Sequence, residues 1–232
     1  DEPWTVLRVM SAVTNHAGDR YVSSSEMAGF CERILANIDG QLNLVRVFDY
    51  DGGAQAGAEA AKAVQMALIQ VAEFEGALDL DKEGAWGQRV GKQKAAIANL
   101  TEGYLKKCSK LVSDAVPQQP VRVGGSTVRS EPNLSDPPQP RAVNRAMASL
   151  TFFDCLRACA AQGGYGAVRG KVCEEITHGL DSYLEELLAM VHGNETDNLE
   201  IAHAFLEVVA DFMGLVQGEK SAQIVRRRAA AA

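Results

Sequence analysis

"MAGFCERILANIDGQLNLVRVF", Met27 to Phe48, decides how this chain is read. Met27, Phe30, Cys31, Ile34, Leu35, Ile38, Leu42, Val45 and Phe48 recur every three or four positions, the spacing of one helical face. A half-buried strand would alternate every second residue, and this stretch does not. Ser23 with Glu26 reads as a capping box at the start, and "DYDGG" ends the run. Such a helix is about 37 Å long at 1.5 Å per residue. Its apolar stripe must be covered, so the neighbours decide the fold.

The neighbours have the same periodicity. A short helix is expected from Pro3 to about His16. The alanine-rich "AGAEAAKAVQMALIQVAEFEGALDL" carries Val64, Ala67, Leu68, Val71, Phe74 and Leu78 as its stripe. In the next helix Val90, Ile97, Tyr104 and Leu111 stand seven apart, which suits neighbours packed at a shallow angle. Further on, Val143, Met147, Leu150, Phe153, Leu156 and Ala160 predict a helix from about Arg141 to Ala161. Ile176, Leu180, Tyr183, Leu187 and Val191 predict another. Asp197 with Glu200 reads as a second capping box, before the stripe of Leu206, Val209, Phe212, Met213 and Val216. A last short helix is expected after Gly218. The fold class is therefore all-α, as antiparallel helical bundles of about six to eight helices.

One stretch breaks the pattern. Residues Ala115 to Pro140 hold six of the seven prolines. Proline lacks a ladder amide and restricts the residue before it, which argues against helix and central strand alike. Extended, the stretch could reach roughly 75 Å. It divides the chain into an N-terminal helical bundle, 1–116, a Pro/Gly/Ser-rich linker or crossover, 117–140, and a C-terminal helical bundle, 141–232. Beyond connecting, the segment also resembles extended ligands of aromatic grooves, with Pro117 and Pro120 three apart.

Totals narrow the function classes. The net charge of −7 repels phosphate backbones, so no nucleic acid is expected as a partner. The one basic cluster, Arg226-Arg227-Arg228, reads as a solvated helix end. No apolar run approaches the roughly 18 residues of a membrane span. Five cysteines without module spacing suggest reduced thiols in a cytoplasmic protein.

Few constellations carry chemistry. Glu175 with His178, and Glu200 with His203, repeat the Glu-x-x-His spacing that holds metals in some bundles. Against that, His178 lies about 190° from the centre of its helix's apolar stripe at 100° per residue. The two pairs would also stand roughly 10 Å apart along the axis. His178 beside Gly179 is the best phosphoryl acceptor, with nothing basic in the following turn. "DLDKEGAWGQRV", Asp79 to Val90, resembles a calcium loop but ends on Val90 where a bidentate carboxylate is needed. Cys155, Cys159 and Cys173 could hold zinc only if their helices met. No nucleophile elbow, P-loop or dinucleotide fingerprint is present.

The sequence thus points to a non-catalytic adaptor, structural or regulatory protein acting through apolar helix faces. No cofactor is expected. Phe152, Cys155 and Cys159, apolar on the far side of their helix, are the candidate partner-binding residues. A protein partner or a second copy, giving a homodimer, would cover them. The alternative is a metal-binding or phosphotransfer protein using Glu175, His178, Glu200 and His203.

Overall fold

The computed structural model describes residues 4–14, 18–122, 128–193, 196 and 198–231. The described residues are mostly helical. The α-helices are α1 (Thr5–Thr14), α2 (Asp19–Ser23), α3 (Ala28–Arg46), α4 (Gly53–Ala77), α5 (Ala85–Ala115), α6 (Pro140–Cys155), α7 (Gly166–His192), α8 (Leu199–Gln217) and α9 (Glu219–Ala230). A 3-10 turn, Tyr50–Gly52, precedes α4, and strands β1 (Gln118–Arg122) and β2 (Val128–Pro132) lie between α5 and α6. Two compact units emerge. One comprises Asp1–Phe48, Glu59–Gly103 and Leu156–Gly166; the other comprises Asp49–Ala58, Tyr104–Cys155 and Ala167–Ala232.

In the first unit the α3 stripe is buried as its spacing requires: Cys31, Ile34, Leu35, Ile38, Leu42 and Val45. Burying each large aliphatic side chain is worth about 1.5–3 kcal/mol. A polar seam fixes the register of α3 against α5. Trp86 donates its indole N–H to Glu32, and Arg89 bridges Glu32 at 2.7 Å and Asp39 at 2.8 Å. Gln93 donates to the Leu35 carbonyl and to Asp39. Positions 32 and 39 meet 86 and 93 in ascending order, so the two helices run in the same direction. The near-calcium loop is a plain turn here: the Asp81 carboxylate accepts the Glu83 amide at 3.0 Å and pairs with Arg20.

In the second unit, Asp51 clamps the 3-10 turn to α6. Its carboxylate takes Arg141 at 2.8 Å, and its carbonyl accepts the Asn144 amide. Above this clamp α4 approaches α6 so closely that a Cβ on Gly57 would strike the Ala148 carbonyl oxygen. The chain reverses between α8 and α9 at Gly218, whose φ of 105° is ground that favours glycine. Arg226 of α9 then reaches Glu207 and Asp211 of α8. Arg228 reaches Glu185 of α7. Two of the three arginines in the basic cluster are therefore engaged by the chain's own carboxylates.

Four local expectations change. Ser23 does not cap α3: its hydroxyl donates to the Arg20 carbonyl at the end of α2, an additional short helix. Ser25, not Ser23, accepts an amide near the start of α3, from Met27. The helix expected to reach Ala161 stops at Cys155, and residues 156–164 turn instead. That turn buries Leu156 and Tyr165, both fully shielded. Within the proline-rich stretch, β1 and β2 pair antiparallel, Gln118 opposite Pro132 and Arg122 opposite Val128. Asp197, of the second expected capping box, lies outside the described residues; the residue before α8 is Asn198, whose side chain makes no capping bond.

Candidate functional site: an α5–α7 cleft and exposed helix faces

The residues singled out for partner binding do not form an exposed stripe. Phe152 is 1% exposed. Its ring meets Tyr104 edge-on at 5.8 Å, and Tyr104 meets Tyr50 in the same way at 6.0 Å. The Phe152 ring is therefore packed inside the second unit, at one end of a Phe152–Tyr104–Tyr50 chain of rings, rather than presented at the surface as its position in the expected helix suggested. Cys155 ends α6 and is half-buried; burial, then the Asp154 charge, push its thiol up. Cys159 lies beyond the helix end in the 156–164 turn, its Sγ 3.0 Å from the Tyr165 hydroxyl. The stripe fails because the helix carrying it ends at Cys155.

Glu175, His178, Glu200 and His203 are all exposed. Glu175 accepts the Ser109 hydroxyl at 3.1 Å and lies 4.0 Å from Lys171. Among the described residues no group of three or more His, Cys, Asp or Glu could hold a metal ion. The two Glu-x-x-His pairs, and the trio of Cys155, Cys159 and Cys173, therefore do not assemble as ligand sets among the described residues. Cys31 and Cys108 are buried, and desolvation pushes their thiols up to about 11 and about 12. At neutral pH such groups are protonated and poor nucleophiles.

Two other features stand out. In the first unit, large apolar side chains project into solvent from helices: Val9 of α1 at 65%, Leu44 of α3 at 57%, and Val47 directly after α3 at 74%. Leu44 and Val47 are three apart at the end of α3 and so share a face. The three-and-four spacing that marks the buried stripe gives no signal for these, since each falls between core positions.

In the second unit a cleft of about 440 Å³ opens between α5, β1 and α7. Buried Val112, Ile176 and Leu180 are among its lining, as are Ser109, Ser113 and Ser182. Glu175 and His178 of the sequence-selected set line it too, whereas Glu200 and His203 do not. Tyr183 also lines the cleft, is 1% exposed, and its hydroxyl has no hydrogen-bond partner among the described residues. Sequence reasoning missed the serines and Tyr183, because only the pairing of α5 with α7 makes them neighbours. No family model, curated protein or solved structure matches this chain.

Proposed function

We propose that the chain is a non-catalytic interaction or assembly protein, adaptor, structural or regulatory in role, working through apolar helix faces. The observation that carries this reading is the Leu44–Val47 pair, held in water at the end of a helix whose opposite face is fully buried. Exposed apolar residues scattered singly need no explanation, but two on one helical face, with Val6 and Val9 similarly placed on α1, favour association. A second copy of the chain is the simplest occupant, and a homodimer is the form this reading takes.

The same reading extends to architecture. The helices pack as antiparallel bundles, and the segment 117–140 acts as a crossover between the halves 1–116 and 141–232. That each compact unit draws on stretches from both sides of the segment favours a crossover over a linker between two separate bundles. A cytoplasmic location accords with five cysteines that form no disulfide.

Light scattering after gel filtration tests the association. The wild-type chain is expected near twice its 24.9 kDa mass. Leu44→Lys with Val47→Lys is expected to return it to a single chain with unchanged helical circular dichroism. A doubly substituted chain that stays as large as wild type would remove this face from the account.

A further inference from the structure

We propose that the α5–β1–α7 cleft binds a small, hydroxyl-rich ligand that is neutral or cationic, of the sugar or amino-sugar class. This goes beyond the association reading and does not depend on it, since the cleft and the Leu44–Val47 face belong to different compact units.

Five observations converge. The volume of about 440 Å³ falls in the range of small-molecule sites, roughly 300–1,000 Å³. The lining pairs buried aliphatic side chains, Val112, Ile176 and Leu180, with the hydroxyls of Ser109, Ser113 and Ser182. Ser109 and Ser113 already donate within the chain, to Glu175 and to the Ser109 carbonyl, so what they offer is oxygen lone pairs, which suit a ligand bearing hydroxyl or amine donors on an apolar ring. Charge selects further. Glu175 supplies a carboxylate, shared at 4.0 Å with Lys171, and among the described residues no Lys or Arg lines the cleft itself, so the lining favours an amine over an anion.

The fourth and fifth observations concern Tyr183 and Gly179. A buried phenol without a hydrogen bond is costly in a native fold, and Tyr183 makes none among the described residues. Tyr183 is one of the cleft's lining residues. Gly179, in the middle of the α7 wall, has open space where a side chain would stand, with nothing within 4 Å of a built Cβ. Neither the helix nor its packing requires glycine there. A side chain larger than hydrogen would project into the space that the ligand takes.

Ligand-observed NMR titration of the full chain tests this with three probes: glucose, glucosamine and, as the mismatched anion, inorganic phosphate. Saturable binding is expected for both sugars, tighter for glucosamine at low salt, and none for phosphate. Gly179→Phe should abolish it while helical circular dichroism is kept. Tyr183→Phe removes only an oxygen; it should weaken binding about tenfold without lowering the melting temperature. The proposal is overturned if neither sugar saturates, if phosphate binds in preference, or if Tyr183→Phe melts higher and binds as wild type does.

Discussion

Pro120 and Pro132 sit inside paired strands, where the residue-level rule says proline should not be. The register explains it. Gln118 faces Pro132 and Pro120 faces Ser130, two pairs one alternation apart. In an antiparallel ladder every second pair exchanges two N–H···O bonds and the pairs between exchange none. Both prolines fall in the second class, where the missing amide would have pointed away from the partner. In a two-stranded hairpin both strands are edges, so the same prolines also blunt the edges against further pairing. Val121, opposite Arg129, belongs to the bonded class. Val121→Pro should therefore remove a ladder bond worth about 1 kcal/mol and speed trypsin cleavage after the exposed Arg122 roughly fivefold. Pro120→Ala should leave the rate unchanged; equal rates for both variants would mean the pairing does not protect that site. The sequence could not announce this hairpin, because its strands are largely exposed and carry no apolar alternation.

Among elements, α3 was almost wholly legible. Its buried positions are those of the three-and-four pattern, because a stripe facing one core is a local property of the helix. The seam across α3 and α5 was not, since Glu32 and Asp39 look like ordinary surface acids until Trp86, Arg89 and Gln93 are known to face them. The end of α6 was illegible for a related reason: apolar residues continue past Cys155, and only burial of Tyr165 reveals a turn. The seam makes a pH prediction. Burial raises the Asp39 pKa, but hydrogen bonds from Gln93 and Arg89, with the Arg89 and Arg46 charges, lower it below its ordinary 3.8. A depressed carboxyl stabilises the fold above its unfolded pKa and loses that contribution as pH falls through the folded value. Thermal melts should thus show a drop in stability below about pH 4 that is smaller in Asp39→Asn. The same drop in both proteins would place the acid-sensitive group elsewhere.

At the scale of the whole molecule, the helical class was readable because apolar periodicity runs through nearly every segment. The partner face was not. Phe152 was apolar on the outer side of its expected helix, yet the fold buries it with its ring edge-on to Tyr104. Leu44 and Val47 carried no sequence signal, yet they are among the large apolar side chains left in water. Surface apolarity is a property of what the fold leaves uncovered, and periodicity alone reports only what a helix can cover. Sedimentation equilibrium of the wild-type chain over a wide concentration range tests the association claim most directly. The account predicts a mass that rises from 24.9 kDa to twice that value with concentration. A constant 24.9 kDa at every concentration would contradict it.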